Sequence, residues 1–170
     1  MKANQLSSTY PFRVIANMAG EIKICCIASA GGHMTELLKM SNSWMRYEHF
    51  YITTVPLLRE KLQADGRVYV TGECNREHPL KVLKVLMRCL KIVLRERPNV
   101  VISTGAAAGC ITCFLGWLSG AKIIWLDSIT NVDRLSLSGR MVRYIADVFL
   151  VQWPELAKKY NNVEYLGAVI

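Results

Sequence analysis

The stretch 23–39 constrains the fold of this chain more than any other part of the sequence. It reads KICCIASAGGHMTELLK, a short apolar run followed by a glycine turn and a segment with a helical pattern. We interpret it as a buried β-strand over 23–28, a turn, and a helix that starts near His33. Gly31 and Gly32 let the backbone turn sharply and leave no Cβ to obstruct a ligand. The free N–H groups of the helix's first turn point to the same place.

Composition indicates one folded domain with an anionic partner. The chain has 170 residues, of which 52% are hydrophobic and 20% charged, so disorder is excluded and one ordinary core is expected. A formal net charge of +8 favours nucleic acid, phosphate esters or an acidic membrane surface as the partner. The stretch 105–126 is apolar, but Ser119, Gly120 and Lys122 interrupt it, and we expect a helix, a turn and a strand there. Membrane contact would then be peripheral.

The six cysteines are predicted to be reduced residues of the core. They lie mostly in apolar runs, and no secretion signal precedes them, which favours a cytoplasmic protein. Cys110 and Cys113 have the spacing of a zinc or redox half-site, but a second pair or matching histidines are missing. We therefore predict no metal site. The six are Cys25, Cys26, Cys74, Cys89, Cys110 and Cys113.

Short apolar runs alternate with helical segments along the whole chain. Strands are predicted over 23–28, 50–54, 67–70, 100–104, 121–126, 148–152 and 163–166, and helices over 33–39, 56–64, 79–96, 106–118, 136–145 and 154–159. This alternation is typical of an α/β fold, a Rossmann-like doubly wound parallel sheet, with one domain over 22–170 after an N-terminal arm over 1–21. The segment 106–118 is apolar on all sides, so we expect that helix to be buried.

Ligands of such sheets bind beyond the carboxyl ends of the strands. His33 lies there, and histidine is the residue type that most often acts as a general base. Glu36 follows one helical turn later, where it would orient the imidazole, cap the helix or stay solvated. Asp127 directly follows a predicted strand, as a ligand-facing carboxylate would, but a turn or N-cap role is equally ordinary. The dinucleotide fingerprint and the phosphate-loop motif are both missing, which argues against a nicotinamide oxidoreductase and a P-loop NTPase.

The predicted helix 79–96 carries a basic stripe. Between residues 76 and 97 there are seven basic and two acidic residues. Five basic residues recur at intervals of three and four, which places them on one stripe: Lys81, Lys84, Arg88, Lys91 and Arg95. One interpretation is a solvated edge of a core helix, with lysines extending along apolar neighbours. The other is a contact surface for anionic lipid headgroups or a partner.

Three segments resemble a known family: ASAGGHMTE over 28–36, RPNVVISTGA over 97–106 and ADVFLVQW over 146–153. They are similar to the acceptor-side subunit of split glycosyltransferases. That family includes the bacterial exopolysaccharide PssD type and the membrane-anchoring subunit of the eukaryotic dolichyl-diphosphate N-acetylglucosamine transferase. Both resemble the N-terminal half of MurG, a GT-B glycosyltransferase. The resemblance extends over about residues 22–170 and includes the segments 75–79 and 136–140.

The resemblance implies half of a metal-independent GT-B enzyme in polysaccharide biosynthesis, inactive without its partner chain. It would transfer a sugar from a UDP-sugar, held mainly by the partner and without a cofactor, to a polyprenyl-diphosphate-linked acceptor. His33 would be the base, while Glu36 and Asp127 would orient it or bind acceptor hydroxyls. The anchor of the eukaryotic branch is missing, so we expect a cytoplasmic protein peripheral to the inner face of the plasma membrane. Residues predicted to bind substrate are Gly31, Gly32, Asn75, Arg76, Ser103, Thr104 and Gly105.

Two other classes of function remain as alternatives. The chain would be a non-catalytic scaffold if it only anchored and activated a separate catalytic glycosyltransferase subunit. Nucleic-acid binding would account for the positive charge, but the sequence has no aromatic-rich basic surface or recognition motif, so we predict no nucleic-acid partner.

Overall fold

A computed structural model describes residues 22–74 and 78–169. The described residues form a parallel sheet with the strand order β3-β2-β1-β4-β5-β6-β7. The strands are β1 Lys23–Ala28, β2 Glu48–Thr53, β3 Arg67–Val70, β4 Val100–Ser103, β5 Lys122–Leu126, β6 Val148–Val151 and β7 Glu164–Tyr165. The helices are α1 Gly32–Lys39, α2 Leu58–Gln63, α3 Pro79–Glu96, α4 Ala106–Leu118, α5 Leu137–Val142 and α6 Pro154–Lys159, with a 3₁₀ turn at Ser41–Ser43.

The Rossmann-like α/β fold predicted from the sequence is confirmed. The predicted bounds of β1, β3, α3, α4 and α6 match the observed ones. Helix α5 is shorter than predicted, because a tight turn in which the Ile145 N–H bonds the Val142 carbonyl replaces its last residues. The predicted arm over 1–21 lies outside the described residues.

Helices cover the sheet in two groups because parallel strands need crossover connections, which are right-handed. Helices α1 and α2 pack on one face through residues such as Leu37 and Leu62. Helices α3 to α6 pack on the other face, with Cys89 and Cys113 among the buried contacts. The chain runs outward from β1 in one direction and outward from β4 in the other. The carboxyl ends of β1 and β4 therefore form the switch point where such sheets bind ligands.

Helix α4 is not buried on all sides, and this prediction from the sequence was wrong. Its side towards the sheet is buried, but Trp117 is 48% exposed and Leu118 is 73% exposed. Ile111 and Phe114 are half-buried. The reason is its place in the fold, since α4 lies in an outer layer of helices between α3 and α5. An apolar surface on α4 consequently faces away from the protein.

The prediction of core thiols is confirmed for five of the six cysteines, and Cys74 is half-buried. All six are free, and five of them are buried. Burial raises the pKa of Cys110 to about 11 and raises that of Cys25 well above its ordinary value. Thiols with such raised pKa values are poor nucleophiles and poor metal ligands near neutral pH.

Candidate active site

His33 occupies the switch point. It is the second residue of α1 and directly follows the glycine turn after β1. The Thr104 hydroxyl donates a hydrogen bond of 2.7 Å to the His33 carbonyl. The imidazole lies against Gly105, where a Cβ would stand 2.5 Å from the imidazole Cε1 and 2.8 Å from Nδ1. The side chain is 29% exposed, so the ring sits at the edge of the sheet and still meets solvent.

Glu36 is a buried carboxylate that faces His33. Its Oε1 accepts hydrogen bonds from the Ser128 hydroxyl at 3.1 Å and the Ile129 N–H at 3.0 Å. Its Oε2 lies 4.0 Å from Nδ1 of His33. Within the described residues, neither Oε2 of Glu36 nor Nδ1 of His33 has a hydrogen-bond partner. The capping and solvated alternatives for Glu36 are wrong, because Oε1 is bonded to Ser128 and Ile129 and the residue is only 6% exposed.

This arrangement suits a base supported by a carboxylate. A neutral imidazole that takes a proton on Nε2 becomes a cation whose Nδ1–H points towards Glu36. A buried carboxylate at that distance stabilises such a cation. Ser128 and Ile129, which hold the carboxylate, were not singled out from the sequence. The polar loop 127–134 was the available signal, but only tertiary structure shows that Ser128 meets a residue 92 positions earlier.

Asp127 is a buried carboxylate whose two oxygens are both bonded within the protein. Its Oδ1 accepts hydrogen bonds from the Ser136 hydroxyl at 2.6 Å and the Trp125 indole at 3.2 Å. Its Oδ2 accepts from the Ser136 N–H at 2.9 Å. Among the described residues, the structure shows no hydrogen bond or ion pair from Asp127 to His33. The geometry favours the alternative of a turn residue, and the catalytic role of Asp127 stays a prediction.

The residues predicted to bind substrate differ in their surroundings. Gly31 and Gly32 border open space, since a Cβ on either would have no neighbour within 4 Å. Ser103 and Thr104 are completely buried. Gly105 is in contact with the His33 ring. Asn75 and Arg76 lie outside the described residues.

A cavity of about 280 Å³ opens beside this site. It is bordered by the ends of β1 and β2, by the loop before α3 and by the N-terminus of α4. Lys81 and His78 line it, together with the first turn of α4. Unpaired N–H groups of a helix N-terminus and an ammonium group both attract anions. Glu73 also lines the cavity, so an anion bound there would meet one carboxylate as well as the Lys81 ammonium and the helix N-terminus.

Helix α3 leads away from this cavity and has two exposed stripes. The basic stripe predicted from the sequence is exposed along its length: Lys81, Lys84, Arg88, Lys91 and Arg95. Arg88 also donates a 2.6 Å hydrogen bond to the Thr71 carbonyl, so it helps to hold the loop after β3. Exposed apolar side chains form the second stripe: Leu80, Leu83, Met87 and Leu94. At 100° per residue the two stripes are adjacent on the outward face of α3.

The described part of the chain lacks two further features. None of its helices combines the length and the apolar character needed to cross a bilayer. No group of three or more His, Cys, Asp or Glu side chains is close enough together there to hold a metal ion.

Known proteins resemble this chain in sequence and in structure. The UDP-N-acetylglucosamine transferase subunit ALG14 of Yarrowia lipolytica is 27% identical over 87% of this chain and 81% of the relative. The protein of the same name in Candida albicans is 39% identical over 88% of this chain and 79% of the relative. The crystal structure of Acinetobacter baumannii MurG matches with a TM-score of 0.69 and 14% identity, over 86% of this chain and 45% of MurG.

The structural match concerns the fold alone, and this chain spans about half the length of MurG. The model of the family described as "Oligosaccharide biosynthesis protein Alg14 like" matches residues 70–169, which is more than half of the chain. This chain belongs to the Alg14-like family.

Proposed function

We propose that this chain is the acceptor-side subunit of a two-chain glycosyltransferase in polysaccharide biosynthesis. The observation that carries the proposal is the pair of His33 and the buried Glu36 at the switch point of the sheet. Relatives named as UDP-N-acetylglucosamine transferase subunits support the transferase class and the need for a second chain. The second chain binds most of the UDP-sugar, and this chain is inactive without it.

His33 acts as the general base in the proposed reaction. A hydroxyl of the acceptor attacks the anomeric carbon of the UDP-sugar, and UDP leaves with the electrons of the broken C–O bond. The hydroxyl proton moves to Nε2 of His33, because Nδ1 faces Glu36. Glu36 then stabilises the imidazolium until the proton is released to water. Such proton transfer contributes about 10²- to 10⁴-fold to an enzymatic rate.

The acceptor is a polyprenyl-diphosphate-linked sugar in this proposal. Its diphosphate binds in the cavity beside His33, where Lys81 and the N-terminus of α4 supply positive charge. Lys81 belongs at the same time to the basic stripe of α3, which connects this cavity to the outer surface. The lipid chain then leaves along α3 towards the membrane.

Helix α3 provides a peripheral membrane contact. An exposed apolar stripe beside a basic stripe is typical of helices that lie in the membrane interface. Trp117 and Leu118 are further exposed apolar side chains, on the neighbouring α4. Anionic headgroups are the occupant that fits this surface, since five cations border it and acidic side chains are missing from the stripe.

Replacement of His33 by alanine in the two-chain complex tests the mechanism. We expect the turnover number to fall about 10²- to 10⁴-fold with little change in KM, because binding groups remain. The complex is isolated through a tag on this chain and assayed with UDP-N-acetylglucosamine and a polyprenyl-diphosphate-linked sugar. The matched control is His49→Gln, because His49 lies near the amino end of β2, at the opposite edge of the sheet from His33. Full turnover in His33→Ala would contradict the mechanism and leave the non-catalytic scaffold as the function.

Charge reversal on α3 tests the membrane contact. Each lysine near an anionic surface contributes about 1 kcal/mol, so Lys84→Glu with Lys91→Glu should weaken binding by at least about 2 kcal/mol, or roughly 30-fold. The measurement is co-sedimentation with vesicles of phosphatidylcholine and phosphatidylglycerol. Lys61→Glu with Lys158→Glu, on other surfaces, is the control for net charge. Equal losses in both pairs, or no loss in the α3 pair, would favour the solvated-edge alternative.

A further inference from the structure

The turn between β4 and α4 has an unusual backbone conformation. Gly105 has φ +139°, and Ala106 has φ +65°. The second value is uncommon for a residue with a Cβ and costs about 1 kcal/mol or more. Strain of this size persists only where surrounding contacts enforce it.

A chain of buried contacts enforces the turn from the side of the core. The Ser103 hydroxyl accepts a 3.2 Å hydrogen bond from the Gly105 N–H. Gly109 of α4 makes room for this hydroxyl, because a Cβ on Gly109 would stand 2.3 Å from the Ser103 Oγ. Ser103 is completely buried, so its hydroxyl serves the protein rather than a ligand.

The same turn holds His33 at two separate points. The Thr104 hydroxyl bonds the His33 carbonyl and fixes the first turn of α1. The face of Gly105 that lacks a side chain accommodates the imidazole, which would overlap with a Cβ there. A ring in this position keeps its Nδ1 directed at Glu36.

We propose that Ser103, Thr104 and Gly105 are positioning residues for His33, and we call these three residues the His33 support. The sequence predicted them as substrate-binding residues, but their contacts are with the protein itself. The support sets the orientation of the imidazole, and Gly105 is required because a Cβ at this position would overlap with the ring and displace it. The consequence for sugar transfer rests on the function proposed above, whereas the contact itself does not.

Replacement of Gly105 by alanine is the direct test. The imidazole resonances of the three histidines of the full chain are followed by NMR, and turnover is measured in the two-chain complex. We expect the His33 resonance to move while that of His49, near the amino end of β2, stays, and turnover to fall about 100-fold, as for a 1 Å misplacement of a catalytic group. Gly120→Ala is the matched control, since Gly120 also has a positive φ of +86° but no neighbour within 4 Å of a Cβ. It should change neither readout.

A second variant covers the case in which Gly105→Ala does not fold. Thr104→Val keeps the shape of the side chain and removes the hydrogen bond to His33, while Thr104→Ser keeps the hydroxyl. We expect Thr104→Val to move the His33 resonance and lower turnover. Thr104→Ser should keep the resonance and the turnover of the wild type.

The two measurements separate two kinds of failure. An unmoved His33 resonance in the folded variants, Thr104→Val included, would overturn the positioning role of the support. A displaced resonance with full turnover would confirm the support and overturn the proposed role of His33 as the base.

Discussion

Two buried glutamates lie at opposite edges of the sheet and have very different surroundings. Glu96, 4% exposed, is at the amino edge, where Lys23, Arg67 and the Tyr69 hydroxyl all bind its carboxylate. Glu36, 6% exposed, is at the carboxyl edge, where Oε1 is bonded and Oε2 has no hydrogen-bond partner within the described residues.

The difference separates a carboxylate held by structural contacts from the one that the proposed function places beside the base. Burial alone would raise the pKa of Glu96, but the Tyr69 hydrogen bond and the charges of Arg67 and Lys23 outweigh it and lower that pKa. Such a saturated carboxylate stabilises the fold and has no capacity left for chemistry. Oε2 of Glu36 instead faces Nδ1 of His33 at 4.0 Å, an arrangement that leaves this oxygen available to a protonated imidazole.

The largest expected effect is on stability at the amino edge. Glu96→Ala removes the shared acceptor of two cations and a hydroxyl, so we expect the free energy of unfolding to fall by about 2–4 kcal/mol. Urea denaturation of the full chain measures it. Turnover of the assembled complex should remain near that of the wild type at a temperature where the variant is folded. A loss of turnover in the folded variant would remove the distinction between the two edges.

The second effect is on activity at the carboxyl edge. Glu36→Gln keeps the oxygen that accepts hydrogen bonds from Ser128 and Ile129 and replaces Oε2 with an NH₂ group. The negative charge beside His33 is therefore lost. We expect turnover to fall about 10- to 100-fold, which corresponds to about 1.4–2.7 kcal/mol, and stability to change by less than about 1 kcal/mol. Steady-state kinetics and urea denaturation are compared on the same preparation. A large stability loss with normal kinetics would make Glu36 a second structural glutamate.

The smallest effect is on the pH dependence of stability. Because the pKa of Glu96 is lower in the folded chain than its usual value of about 4.5, its contribution is complete above that pH. The contribution is lost as the pH falls through the lower, folded pKa. Wild-type protein should therefore lose stability on acidification below about pH 4.5 more steeply than Glu96→Gln. If the free energy of unfolding fell equally with pH in the two proteins, this assignment would be contradicted.

Hydrophobic periodicity predicted most of the fold. The bounds of β1, α3 and α4 follow from local pattern and from Pro79, Pro98 and glycine signals, which act within a few residues. The carboxyl-edge rule for parallel sheets also indicated the neighbourhood of His33. The burial of α4 was predicted wrongly, because composition does not say how many neighbours a helix has.

The site was harder to predict, since side-chain direction depends on distant partners. Asp127 and Glu36 both follow patterns that suit catalysis, yet Asp127 is engaged by Ser136 and Glu36 faces His33. The apolar stripe beside the basic one on α3 was present in the spacing of Leu80, Leu83 and Met87. Only its exposure in the structure distinguishes it from an ordinary core face.

The sequence alone determined the parallel sheet, the glycine turn and the place of His33 at its edge, because short-range periodicity and backbone freedom specify these features. Tertiary structure decided which residues meet there. Glu36 and Ser128 are 92 positions apart, and Gly105 reaches the His33 ring only when β1 and β4 pair. Contacts of this kind depend on strand order and register, which local pattern does not contain.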